Sequence, residues 1–160
     1  MFETVGKLKV PMIIMHMRGT PETMQSMTQY NDVVVDVSSA LMKQSEEAEK
    51  AGIPRWMQIL DPGIGFAKDL EHNLSLLKHS SKMRSLVNEI PLLIGTSRKG
   101  FIGKLTGEEI AENRDFGTLA SCMACLVGMD GKLAPTILRV HNVKGIRQGI
   151  HTIEEILNAK

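Results

Sequence analysis

No apolar run in this sequence approaches the roughly 18 residues that a helix needs to cross a bilayer. The N-terminus, Met1 to Lys9, lacks the long apolar stretch of a secretory signal. Cysteine is scarce: two residues cannot make a disulfide framework, which favours a reducing compartment. An excess of one charge is missing too. Lys and Arg number 19 against 18 Asp and Glu, a formal net charge of +1. That excludes a strongly basic nucleic-acid coat and an acidic tail, so any anion binding must be local. There is no low-complexity stretch and no obvious linker. What is present suits one domain: 160 residues, 42% apolar and 23% charged, enough to build a core.

Four short apolar runs stand out, at Val10 to Met17, Met57 to Asp61, Pro91 to Thr96 and Pro135 to Val140. Each has strand length. Runs apolar on both faces are typical of parallel strands covered by helices. The segments between them read as helices. Val33, Val37, Leu41 and Ala48 share one face, and Gly52 and Pro54 stop that helix. Leu74, Leu77 and the Leu86/Val87 pair give a weaker second stripe. Ala120, Ala124, Leu126 and Val127 lie in a third helix, ended by Gly128. Ile146, Ile150, Ile153, Ile156 and Leu157 make a fourth. The order βαβαβαβα predicts an α/β fold with a parallel sheet and right-handed crossovers. Units of this size build an open doubly wound sheet or a (β/α)8 barrel, and four units are half of such a barrel.

Polar residues gather where the strands end, the face on which parallel α/β folds carry their ligands. Along the fourth strand Arg139 and His141 share a face, because strand side chains alternate. An Arg fork beside an imidazole suits phosphate or carboxylate; the plainer reading is a surface Arg and a capping His. Asp61 could accept two N–H bonds from an amidine-like ring edge such as a pterin, or cap the turn at Pro62 and Gly63. Phe66 could stack on a flat ligand or belong to the core. Ser97-Arg98-Lys99 offers two cations and a hydroxyl beside Gly95 and Gly100, or simply a solvated basic turn. It is not a phosphate-binding P-loop, since Phe101 follows Gly100 where that loop requires Lys. Met15 and Met17 share a strand face and could line a flat-ring pocket. Cys122-x2-Cys125 has no second ligand pair and reads as helix packing rather than zinc or redox chemistry. His72 and His79 receive no role.

In combination these motifs resemble dihydropteroate synthases of the pterin-binding family. Met15-His16-Met17-Arg18-Gly19-Thr20-Pro21 with Thr23-Met24-Gln25 is similar to the family's fifth-strand signature. Leu60-Asp61-Pro62-Gly63-Ile64-Gly65-Phe66, with Lys68 and Glu71-His72-Asn73-Leu74, resembles the sixth. Ser97-Arg98-Lys99 with Phe101-Ile102-Gly103 resembles the seventh, and Arg139-Val140-His141-Asn142-Val143 the eighth. Ala67 departs from the Gly that many relatives have there, which would stiffen the loop. Gly52-Ile53-Pro54 and Asn142 lean toward the eukaryotic, multifunctional relatives.

The resemblance implies a (β/α)8 TIM-barrel family fold, with residues 1–160 forming its C-terminal half, strands five to eight. It implies a transferase of folate biosynthesis that joins 6-hydroxymethyl-7,8-dihydropterin diphosphate to 4-aminobenzoate. Asp61, Lys99, Met15 and Met17 would contact the pterin. Phe66, Ser97, Arg98 and Lys99 would form the aminobenzoate side, and Arg139 and His141 would hold the diphosphate. Lys99, Arg139 and His141 are the expected catalytic groups. The family's magnesium ion is implied as well, but its Asn ligand belongs to the first four strands, as do a Thr-Arg loop, a pterin-binding Asp and a second Asn. None of these has a counterpart here. Small-molecule substrates are thus the expected partners, without nucleic acid or membrane, in a cytoplasmic or mitochondrial setting. Homodimeric full-length relatives, and fusion to other folate-pathway domains upstream, are implied. Two alternatives compete: a non-catalytic half-barrel, of which two copies could close an eight-stranded ring, and a pterin-binding methyltransferase relative.

Overall fold

The computed structural model describes residues 1–127 and 137–159. In chain order its elements are α1 (Phe2–Leu8), β1 (Met12–Met15), α2 (Val33–Lys50), β2 (Gln58–Asp61), α3 (Leu70–Lys78), α4 (Ser80–Leu86), β3 (Leu93–Ile94), α5 (Gly100–Thr106), α6 (Asp115–Leu126), β4 (Ile137–Leu138) and α7 (Val143–Asn158). The expected alternation of strands and helices is present. The first three strands are shorter than their apolar runs, and Pro135 and Thr136 of the fourth run lie outside the described residues.

Every pairing is parallel. β1 pairs with β2 from Met12↔Gln58 to Met15↔Asp61, and β3 with β4 at Leu93↔Ile137 and Ile94↔Leu138. A single bridge, Leu60↔Leu92, joins the two pairs, with Leu60 N–H donating to Pro91 O at 2.8 Å. Each strand therefore neighbours the next one along the chain. On one face of this sheet Met12, Ile14, Leu60, Leu92 and Ile94 join the helix-packed core, with Val37, Leu41 and Met83 fully buried among them. Gln58 is buried with them, but none of its amide is wasted. Ser45 Oγ donates to its Oε1 at 2.6 Å, and its Nε2 donates to Ile53 O at 2.8 Å. By alternation the other face carries Ile13, Ile59, Leu93 and Ile137 in one layer. Met15, Asp61, Gly95 and Arg139 form the next layer toward the strand ends. Ile13 is 50% exposed and Ile137 36% exposed, so much of this second face is open.

Local chemistry explains the helix boundaries. Asp32 caps α2 by accepting from Val34 N and Val35 N, and Asp69 caps α3 by accepting from His72 N at 2.9 Å. One helical expectation changes, and the structure adds detail to two others. The second stripe is two helices, α3 and α4, because the chain leaves helical geometry at His79. On α6 the buried residues are Thr118, Cys122, Cys125 and Leu126, while Ala120 and Ala124 are exposed. Small residues on both sides of that helix make its periodicity a poor guide to its buried face. On α7 only Ile146 is buried, and Ile156 and Leu157 are 62% and 54% exposed. The amphipathic stripe there is real, but its far end has nothing packed on it among the described residues. Gly128, the expected stop after α6, lies outside the described residues. Two helices, α1 and α5, were not legible as periodic stripes.

Candidate active site

The strand ends deliver their polar residues to one place. Asp61, the last residue of β2, is half-buried, and its Oδ1 accepts from Gly63 N–H at 2.7 Å. It thus caps its own turn, and by strand alternation its carboxyl group lies on the open face. Burial pushes that carboxyl above the usual carboxylate range. The Gly63 N–H and the charges of Lys99, Lys68 and Arg139 pull it back.

The loop that follows β2 is tightly held. Gly63 has φ +67, and a Cβ there would fall inside the carbonyl oxygen of His16. Lys99 reaches across from the β3–α5 connection, donates to Ile64 O and lies 4.9 Å from the Phe66 ring centroid. Burial lowers the Lys99 ammonium from its ordinary range; Asp61 opposes this. Lys68 enters from below, 3% exposed. Its Nζ sits 2.9 Å from Phe66 O, 3.1 Å from Gly63 O and 3.1 Å from His16 Nδ1. Burial drives Lys68 down to about 7, against the pull of Asp61. His16 is itself 3% exposed, and burial, with Lys68 and Arg18 beside it, takes its imidazole down to about 4. Tyr30 closes the back of this group, donating to Ala67 O at 2.9 Å, with the Arg18 guanidinium 3.9 Å above its ring.

On the other side of the face stand Ser97, Arg139 and His141. Ser97 Oγ is 2.9 Å from His141 Nδ1 and accepts from His141 N–H at 3.1 Å. Arg139 is tied through its backbone to Ile94 O at 3.0 Å, and its side chain is exposed. Gly95 lies between Arg139 and Lys99: a Cβ there would be 3.7 Å from Arg139 Cβ and 3.9 Å from Lys99 Nζ. Met15 pairs with Asp61 across the β1–β2 register, and Met17 follows it, 38% exposed.

Of the residues singled out from the sequence, Met15, Met17, Asp61, Phe66, Ser97, Lys99, Arg139 and His141 converge on this one face and its rim. The Arg98 guanidinium goes elsewhere. It makes a two-pronged pair with Asp115 on α6, at 2.9 and 3.2 Å, and Asn142 donates to the same carboxylate at 3.1 Å. With φ +61, Arg98 turns its backbone between Ser97 and Lys99 and anchors both. Cys122 and Cys125 are buried free thiols; burial pushes Cys125 up to about 12, which keeps it an inert core group. The residues that sequence reasoning assigned no function are Lys68, His16 and Tyr30. The first two appeared only as letters of a motif. The signal that could have found Lys68 is the loop itself, whose backbone carbonyls need donors away from water.

A divalent cation does not fit this donor set. The one carboxylate on the face is ringed by Lys99, Lys68 and Arg139. Among the described residues no three His, Cys, Asp or Glu side chains group together.

The residues of this face lie at the strand ends of a parallel α/β sheet, the end at which such folds carry their ligands. A family model described as pterin binding enzyme matches residues 1–141, and the chain belongs to that family. It is 43% identical over 146 residues to the Folic acid synthesis protein fol1 of Pneumocystis carinii, covering 89% of this chain and 19% of that protein. It is 40% identical to the mitochondrial Folate synthesis bifunctional protein of Pisum sativum, covering 100% of this chain and 32% of that one. Among solved structures, dihydropteroate synthase from Xanthomonas albilineans in complex with 7,8-dihydropteroate superposes with a TM-score of 0.84 at 33% identity. That match covers 99% of this chain and 55% of the solved chain. The chain thus spans a fifth to about a half of the proteins it matches.

Proposed function

We propose that this chain is the C-terminal half of a dihydropteroate synthase barrel, strands five to eight over residues 1–160. It carries the part of the active site that grips the pterin diphosphate. The observation behind this reading is the layer in which the Asp61 carboxylate faces Lys99 and Arg139, on one open face. Asp61 accepts hydrogen bonds from the pterin edge, with Met15 and Met17 against the ring. Phe66, Ser97 and Lys99 form the aminobenzoate side, and Arg98 contributes there by anchoring its two neighbours. Arg139 and His141 hold the diphosphate.

In the reaction the bond between the pterin methylene carbon and the diphosphate oxygen breaks, and its electron pair leaves with diphosphate. The amine nitrogen of 4-aminobenzoate supplies the pair for the new C–N bond and releases a proton to solvent. No protein nucleophile is needed; the demand is for cationic stabilisation of the leaving group, which Arg139, with His141, is placed to give. A magnesium ion would be brought by the diphosphate and by residues outside this chain, so no step is assigned to it here. The apolar layer of Ile13, Ile59, Leu93 and Ile137 is the surface on which the other half of the barrel packs. Relatives named as folate synthesis bifunctional proteins support fusion to other folate-pathway domains, in a cytoplasmic or mitochondrial setting. Homodimerisation belongs to the complete enzyme.

Calorimetric titration of the 160-residue chain with 6-hydroxymethyl-7,8-dihydropterin diphosphate tests this. We expect binding that Arg139→Ala weakens at least tenfold, since a charge-assisted hydrogen bond contributes about 1.5–3 kcal/mol. Equal affinity in wild type and Arg139→Ala would sink the assignment.

A further inference from the structure

Lys68 is the most enclosed cation of the site, and its geometry is complete. An ammonium group has three donors, and the structure places three acceptors around this one: Phe66 O at 2.9 Å, Gly63 O at 3.1 Å and His16 Nδ1 at 3.1 Å. Two of these are carbonyls of the loop that carries Phe66. The third belongs to the residue that follows β1, and His16 N–H in turn donates to Asp61 O at 2.9 Å. Lys68 therefore ties the loop after β2 to the end of β1, and the Asp61 carboxyl is joined to the same loop through Gly63 N–H at 2.7 Å. Its other charged neighbours are cations, Arg18 after β1 and Lys99 after β3. Asp61 is its sole anionic influence among the described residues that act on it.

We propose that Lys68 is a positioning residue for the ligand site: its ammonium pins the loop 62–66 against His16 and keeps the Asp61 carboxylate ionised, and so able to accept the N–H edge of a pterin. The last clause rests on the pterin reading above; the first two do not. An ionised Asp61 has to withstand its own burial, and a buried positive charge nearby is what makes that possible. Lys99 helps, but it is also committed to Ile64 O and to the aminobenzoate side. Lys68 has all three of its contacts within the loop after β2 and the end of β1. It is a separate, buried support for the group that contacts substrate.

Two variants separate its two actions. Lys68→Gln keeps N–H donors without charge; Lys68→Met removes both. Carbon-13 NMR of the Asp61 carboxyl gives its titration midpoint, and amide hydrogen exchange reports the loop. We expect the Asp61 midpoint to rise by about one pH unit in both variants, the scale set by removing a nearby opposite charge. Exchange at residues 63–67 should quicken in Lys68→Met much more than in Lys68→Gln, with α2 and α7 unchanged. The affinity for 6-hydroxymethylpterin should fall about tenfold at neutral pH in either variant, with its acid limb moved to higher pH. In the unmodified chain the Asp61 resonance should also show a second step as Lys68 itself loses its proton. That step decides the matter even if Lys68→Met does not fold. An unmoved Asp61 midpoint in both variants overturns the proposal. So does faster exchange spread evenly over the whole chain, which would make Lys68 a folding residue only. Should the wild-type chain fail to bind the pterin, the functional reading falls, while the Asp61 titration and loop exchange still judge the positioning role.

Discussion

The two sides of the site are built differently. On the β2 side, Asp61, Lys68, Lys99 and His16 are wholly or partly buried and cross-linked through loop carbonyls at 63, 64 and 66. On the β4 side, Arg139 and His141 are exposed and meet the rest of the site through Ser97 and the backbone. The first side is rigid before any ligand arrives; its groups have already left water and been compensated. The second leaves its side chains in water. On the reading proposed above, a flat heterocycle needs a fixed hydrogen-bonding edge, whereas a departing diphosphate needs charge that can follow it. The difference in burial matches that difference in task.

Changes on the rigid side should therefore act on folding, and changes on the open side on binding. The largest expected effect is at Gly63. Gly63→Ala meets the His16 carbonyl and a left-handed φ together, and should lower the unfolding free energy by about 3 kcal/mol in urea titration. A loss under 1 kcal/mol would mean that the loop can move away from β1. His16 tests the same side by pH. Its folded-state midpoint, near 4, lies below the ordinary 6.5, so its contribution is complete above 6.5 and is lost as pH falls toward 4. That linkage amounts to about 3 kcal/mol. His16→Asn keeps an acceptor for Lys68 and should show a correspondingly flatter stability curve between those two values. Parallel curves would remove His16 from the buried set.

On the open side, His141→Ala should weaken diphosphate binding several-fold and change the urea midpoint little, because its ring is exposed. A large stability loss would show the β4 side to be as load-sharing as the β2 side. The smallest effect belongs to Ala67, a buried non-glycine residue at φ +50. Ala67→Gly relieves that backbone at the expense of a freer unfolded chain and should stabilise by about 0.5 kcal/mol. A destabilisation would mean that its methyl packing outweighs the strain.

How much of this was written in the sequence follows from the range of the interactions. Arg139 and His141 were legible because strand alternation is local, and four polar strand ends pointed to one face. Asp61 and Lys99 were legible as motif residues. Lys68 was not, since its partners sit 52 residues away at His16 and in carbonyls that carry no side-chain letter. The partner of Arg98 was not legible, because Asp115 is on another element. The buried face of α6 was hidden by small residues on all sides, and the open stripe of α7 could not be told from a covered one. Periodicity shows that a face is apolar, not that something lies on it.

The order of the strands has a consequence for synthesis. Each one pairs with the strand made just before it, and no later strand has to thread between two earlier ones. As the polypeptide leaves the ribosome, β2 can dock on β1 while β3 is still inside the tunnel. Every unit thus folds against a template already in place, by the shortest closures a parallel sheet allows. The Gly63–His16 contact forms in the first of these steps, so the loop that carries Phe66 is seated on β1 before Arg139 and His141 have been translated.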